Sequence, residues 1–228
     1  MESALEKTAR LLLTGPRRDW TGVELSRRTG YSRGMISRVL SRLENDTVVA
    51  KPYKNRFVLV EPIRLLMLWS CERALPSPIY VDSDRSEASL GRAIAGMKGV
   101  ALTQFRGAWL RSHYMRTTSY ELYVEERRLE QVAKSLGKVS DSPQNVALLP
   151  ADKDVFLGSE RVEGLPVVSV PQNFVDLMCT GGSGPRVALH LGQRTGGGGT
   201  SWVGGTSEAP QLRQNLAPGL LSAPHWRQ

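Results

Sequence analysis

The sequence predicts a mixed α+β or α/β protein in two folded parts, and three observations carry that prediction. Three helical patterns, the second and third with marked starts, fill the first 45 residues, and two short β-branched runs follow them. Strand and helix patterns then alternate from about residue 79 to residue 191. The charge is divided in the same way. The 228 residues carry a net +8, but residues 1–75 hold 14 basic and 8 acidic side chains while residues 76–191 hold 13 of each. With 40% hydrophobic residues the chain can bury a core in more than one unit. The basic excess points to a polyanionic partner held by the first part.

Leu5, Ala9, Leu12 and Leu13 share one helical face, and Gly15-Pro16 is expected to stop that helix through a left-handed glycine cap. Thr21 then begins a second helix, with Glu24 placed to complete a capping box and Trp20 to staple Leu25. It runs to about Arg28 and ends at Thr29-Gly30. Ser32 caps a third helix, with Tyr31 placed to staple Ile36. In that helix Ile36, Val39, Leu40 and Leu43 form the inward stripe. The opposite face is Gly34, Ser37, Arg38 and Ser41, with Arg33 and Arg42 on its borders. Thr47 to Lys51 and Arg56 to Val60 are predicted strands, joined through Pro52-Tyr53-Lys54-Asn55.

Two helices separated by about three residues and followed by a hairpin make a winged helix-turn-helix, so residues 1–62 are expected to be a DNA-binding domain. Small residues let a helix backbone approach the major groove, serines meet phosphates or base edges, and arginine pairs with guanine. The expected contacts on the helix are Ser32, Arg33, Gly34, Ser37, Arg38, Ser41 and Arg42. On the wing, Lys51, Tyr53, Lys54, Asn55 and Arg56 are placed to reach a phosphate or the minor groove. The competing reading of the same surface is a solvated face or a protein-binding module.

Pro62 suits the first turn of a connecting helix within residues 63–76. Its apolar crowding (Ile63, Leu65, Leu66, Met67, Leu68, Trp69) calls for burial on more than one side, in the core between the domains or, alternatively, in a homodimer interface. Pro76-Ser77-Pro78 marks a junction. Residues 77–191 are then an α/β domain with strands at Ile79 to Val81, Gly99 to Leu102, Tyr120 to Val124, Asn145 to Leu149, Val155 to Leu157 and Leu165 to Val170. Its helices carry Leu90, Ala93, Ile94 and Met97, then Phe105 to Ser112, Glu125 to Leu136, Pro171 to Met178, and Pro185 to Leu191. Residues 192–228 are rich in glycine and proline and are expected to be a disordered tail, with Leu212, Leu216, Leu220 and Leu221 as a weak docking segment.

The chain resembles the AbiEi family in the winged-helix pattern followed by Gly99-Val100-Ala101-Leu102-Thr103, Gly107-Ala108-Trp109-Leu110, Tyr120-Glu121-Leu122-Tyr123-Val124, Asn145-Val146-Ala147-Leu148-Leu149, and Val167-Val168-Ser169-Val170-Pro171-Gln172 with Asp176-Leu177. The resemblance covers about residues 5–191. It implies an antitoxin of a type IV abortive-infection system, whose winged helix represses its own operon by binding double-stranded operator DNA. Its C-terminal domain would oppose a nucleotidyltransferase-like toxin without having to bind it. Asp46 stands where such regulators usually carry glycine before the wing.

The central domain is expected to be non-enzymatic, nucleotidyltransferase-like at most and without that fold's catalytic motif. Asp82-Ser83-Asp84 and Asp152-Lys153-Asp154 have the spacing of a two-metal carboxylate pair and Gly158-Ser159 has the dipeptide, but none combines both in the required order. Gly181-Gly182-Ser183-Gly184 lacks the Lys-Ser/Thr of a phosphate loop. Glu125-Glu126-Arg127-Arg128 is an exposed helical face. His113, His190 and His225 are scattered, and Cys71 and Cys179 fit neither a disulfide framework nor a zinc site. No cofactor or metal is expected. The longest apolar run, Leu65 to Trp69, is too short to span a bilayer, and the N-terminus lacks a signal-peptide pattern, so a cytoplasmic protein is expected. The alternative function is a one-component regulator whose α/β domain senses a small ligand.

Overall fold

In the computed structural model, residues 3–15, 19–151 and 153–194 are described. Helix α1 (Ala4–Thr14) starts where the Ser3 hydroxyl accepts from the Glu6 backbone N–H. It is buried on nearly every side, Thr8 and Arg10 included, because further helices pack around it. Gly15 is not the left-handed cap expected of it: its φ is −67° and its ψ 155°. A Cβ there would lie 2.5 Å from the Trp20 ring and closer still to the Leu11 carbonyl, so close packing explains the glycine. Pro16 lies outside the described residues.

Strand β1 (Asp19–Trp20) leads into α2 (Gly22–Thr29), whose capping box is formed by Thr21 and Glu24. Gly30 ends α2 in the left-handed region at φ 77°. Ser32 caps α3 (Arg33–Asn45), which buries Ile36, Leu40 and Leu43. Strands β2 (Val49–Tyr53) and β3 (Arg56–Leu59) form a hairpin, and β1 adds to it in the order β1-β3-β2.

The hairpin differs from expectation at Pro52 and Tyr53, which belong to β2, so only Lys54 and Asn55 make the turn. The register slips by one residue between the pairs Ala50/Val58 and Tyr53/Arg56. That bulge accommodates a proline, which has no N–H to give a ladder. At the hairpin entry Asp46 takes ordinary angles, and Thr47 holds the left-handed conformation at φ 56°.

Helix α4 (Pro62–Glu72) has its proline in the first turn and buries Leu65, Leu66 and Trp69, while Met67 is exposed. After it come β4 (Ile79–Asp82), α5 (Glu87–Ala95), β5 (Val100–Leu102), α6 (Gln104–Ser112), β6 (Tyr120–Glu125), a 3-10 turn (Glu126–Arg128) and α7 (Leu129–Leu136). Strands β7 (Lys138–Ser140) and β8 (Val146–Ala151), a second 3-10 turn (Lys153–Phe156), β9 (Glu160–Val162), β10 (Leu165–Val167), α8 (Val170–Thr180) and α9 (Gly184–Arg194) complete the described chain. The fold is mixed α+β, with two sheets among the described residues.

The larger sheet has seven strands in the order β7-β4-β8-β6-β5-β10-β9. The β6/β8 and β5/β10 pairs are parallel and the other four antiparallel. Side chains alternate across it: Tyr120, Leu122 and Val124 share a core with Leu90, Ile94, Val132 and Leu136, while Tyr123 packs with Ala101, Leu149 and Val155 in another.

Val155 to Leu157 is therefore not a strand. The stretch lies mostly in the second 3-10 turn, with Val155 buried beside the sheet. The predicted strand at Leu165 to Val170 stops at Val167, because Ser169 caps α8. The helical pattern from Glu125 divides between the end of β6, a 3-10 turn and α7.

A third core joins the two parts of the chain. Leu5, Ala9, Leu25, Ile36, Leu40 and Leu43 pack in one continuous cluster with Leu65 and Trp69 of α4, Phe174 and Leu177 of α8, and Val187 and Leu191 of α9. Helix α9 runs to Arg194, and the remainder of the expected tail, residues 195–228, lies outside the described residues.

Candidate nucleic-acid interface

The outward face of α3 is built by exclusion. Ile36, Leu40 and Leu43 are 2% exposed or less, which turns Arg33, Gly34, Ser37, Arg38 and Ser41 to solvent. Arg33 and Arg38 have no hydrogen-bond or ion-pair partner among the described residues. Nothing lies within 4 Å of where a Cβ would stand on Gly34, so the backbone there is open to close approach. Ser32 serves the helix itself, since its hydroxyl accepts from the Met35 N–H at 3.3 Å and holds the first turn.

Arg33, Ser37 and Ser41 line one wall of a groove of about 500 Å3. Lys51, Asn55 and Phe57 of the hairpin form the opposite wall, and Thr21, Gly22 and Val23 at the start of α2 close the end. The Lys51 ammonium stands 5.4 Å from the centre of the Phe57 ring, which fixes its position without removing its charge. At the hairpin tip Asn55 takes the left-handed conformation, φ 63°, tolerated by asparagine. Beside it Lys54 is exposed and unpartnered among the described residues, and Tyr53 is 75% exposed.

Two expected contact residues are held by carboxylates within the chain. Arg42 makes a 2.7 Å ion pair with Glu72 at the end of α4, and Arg56 a 2.8 Å pair with Asp19 of β1. Both remain partly exposed, so each can still meet a phosphate, but against an existing partner. The groove also contains residues that sequence reasoning did not place at the interface: Thr21, Gly22, Val23 and Glu44. Glu44 lies on α3 itself, one turn beyond Ser41, whereas Thr21, Gly22 and Val23 reach the groove only because the start of α2 packs beside α3, which no local sequence signal reveals.

Several of the sequence's other chemical candidates have partners within the chain. Ser83 is buried, donating its hydroxyl to the Leu136 carbonyl and its N–H to Asn145. Asp154 is paired with Lys7 at 2.9 Å, and Asp152 lies outside the described residues. His113 stands 3.3 Å from Glu163 and edge-on to Trp109, and His190 stacks on Tyr114 at 3.9 Å; His225 lies outside the described residues. Both cysteines are free, and burial pushes the Cys179 thiol up to about 11, which keeps it protonated. Among the described residues there is no cluster of three or more His, Cys, Asp or Glu side chains able to hold a metal ion, and no helix long and apolar enough to cross a membrane.

A buried polar network between α1, α8 and the larger sheet also escaped the sequence. Asp176 of α8 accepts from Arg73 at 3.2 Å, Thr103 at 2.6 Å, Tyr123 at 3.0 Å and Gln172 at 2.8 Å. Arg73 also pairs with Glu6 of α1, and Arg10 donates to Gln172 at 3.0 Å. Burial works against the Arg73 charge, but Asp176, Tyr123 and Glu6 outweigh it and hold the guanidinium ionised. No protein-family model matches this chain, and no curated protein matches it.

Proposed function

We propose that residues 1–62 form a winged helix-turn-helix that binds double-stranded operator DNA, with α3 entering the major groove and the β2–β3 hairpin as the wing. The observation that carries this reading is the pair of exposed arginines, Arg33 and Arg38, without partners among the described residues on a face otherwise made of glycine and serine. A guanidinium with no internal acceptor is available for guanine or phosphate, and the small residues around it let the helix come close. Lys54, at the tip of the adjoining hairpin, extends the same positive surface. Occupying an operator in this way represses by excluding polymerase.

The resemblance to AbiEi proteins makes the repressor an autoregulating antitoxin. Its central part would be nucleotidyltransferase-like and catalytically silent, its counterpart a nucleotidyltransferase-like toxin, and its location the cytoplasm. A gel-shift titration against the DNA upstream of the protein's own reading frame tests the DNA reading: binding that weakens steeply with salt supports it, and absence of such binding ends it. Co-expression with a nucleotidyltransferase-like neighbour tests the antitoxin reading, which requires rescue of growth by the full chain.

A ligand-sensing regulator is the second reading. It is favoured by α2, whose first turn lines the groove and whose last turn lines a cavity against the rest of the protein.

A further inference from the structure

We propose that this cavity binds a small organic phosphate monoester and that its occupancy lowers affinity at the groove through α2. The cavity, about 280 Å3, lies between α1, the end of α2 and the 3-10 turn after β8. That is near the lower end of ligand-pocket sizes, roughly 300–1,000 Å3, so the ligand is small. Leu11, Phe156 and Leu157 give it an apolar wall.

The charges around it resolve into pairs and a remainder. Lys7 is neutralised by Asp154, and Arg10 is held by Glu6 and Gln172 over the Trp69 ring. Arg28 of α2 and Lys153 of the 3-10 turn also line the cavity and have no partner among the described residues. Two positive charges without an ion-pair partner among the described residues, contributed by the two parts of the chain, complement a phosphate monoester, which carries about −1.5 to −2 at pH 7. A carboxylate or a phosphodiester supplies one negative charge. The apolar wall takes the organic half of the ester.

Arg28 sits in the last turn of α2, and Gly22 and Val23 at the other end of that helix line the groove, about 8–9 Å away along the axis at 1.5 Å per residue. An anion bridging Arg28 to Lys153 ties α2 to the larger sheet's side of the molecule and neutralises two charges of a basic surface. Binding in the cavity stands on its own, while the effect on the groove rests on the DNA reading.

The test is calorimetric titration of the full chain with phenyl phosphate, alongside benzoate, benzyl alcohol and the monoanionic diester diphenyl phosphate. Phenyl phosphate is expected to bind at one site at least tenfold more tightly than benzoate or the diester, with no measurable binding of benzyl alcohol. Arg28→Gln and Lys153→Gln should each weaken it tenfold or more, and Lys98→Gln, at a side chain that does not line the cavity, should leave it unchanged. Both cavity side chains are exposed, so an unshifted melting temperature verifies that each variant is folded. Absence of phenyl phosphate binding, or equal binding by Arg28→Gln, overturns the site. If phenyl phosphate binds but operator affinity is unaltered, the transmission through α2 is overturned. Failure of the protein to bind operator at all refutes the DNA reading, and the calorimetry still decides the site.

Discussion

Arg38 and Lys54 are both exposed and both unpartnered among the described residues, yet their places assign them different work. Arg38 projects from the helix proposed to lie in the major groove, where a bidentate contact distinguishes one base pair from another. Arg38→Ala is therefore expected to weaken operator binding by about 1–3 kcal/mol and to relax sequence preference at one position. In the proposed complex Lys54, at the hairpin tip, is placed to meet phosphate, so Lys54→Ala should weaken operator and random DNA alike and make the salt slope shallower by about one. Fluorescence anisotropy at several salt concentrations separates the two outcomes. Glu121 supplies a residue-scale prediction that DNA does not enter. Burial pushes its carboxyl above the ordinary range, and hydrogen bonds from the Ser119 hydroxyl and the Arg106 N–H offset that only in part. A raised folded-state pKa means the unfolded chain ionises more readily, so stability is lost as pH rises through the folded-state value. Glu121→Gln should therefore melt above the wild type at pH 7. The difference should shrink as the pH falls below the ordinary carboxylate pKa, where both states of the wild type are protonated; a constant difference across that range would sink the assignment.

Among the elements, the entry into β1 depends on Gly15, where the end of α1 meets the Trp20 ring and a methyl group has no room. Gly15→Ala is expected to cost about 1–3 kcal/mol, the range for overpacking a filled site, measured by urea denaturation. That role was not legible in the sequence, where glycine before proline signals a helix cap and the tertiary contact is invisible. The starts of α2 and α3 were legible because a capping box and a serine cap are local chemistry, written within four residues. Strands β7 and β9 were not. They lie at the two edges of the larger sheet, and Glu160-Arg161-Val162 and Lys138-Val139-Ser140 carry the charged side chains that protect an edge, which erases the apolar signature of a strand. At the candidate site, sequence periodicity identified the outward face of α3, since a helix repeats its own geometry. It could not reveal that Arg42 and Arg56 have carboxylate partners, because Glu72 and Asp19 lie 30 and 37 residues away along the chain.

Across the whole molecule, the apolar core that supports α3 is completed by α8 and α9, elements more than a hundred residues further along, and the Asp176 network crosses the same boundary. The basic N-terminal part is thus packed against the charge-balanced remainder over both apolar and ionic contacts. Asp176 is fully buried and accepts hydrogen bonds from four residues, on the segment after α4, the end of β5, β6 and α8. Asp176→Ala removes one of the carboxylates that hold the Arg73 guanidinium and strips Thr103 of its nearer acceptor. Removing one member of a buried ion pair commonly costs about 3–5 kcal/mol, because the other charge stays buried without compensation. Because Glu6 still pairs with Arg73, the expected result is a loss toward the lower end of that range in denaturant unfolding, with hydrogen-exchange protection falling together in α1 and in β6. If α1 kept its protection while β6 lost it, the two parts would be energetically separate. A ligand held between Arg28 and Lys153 would then have no rigid body through which to act on the groove.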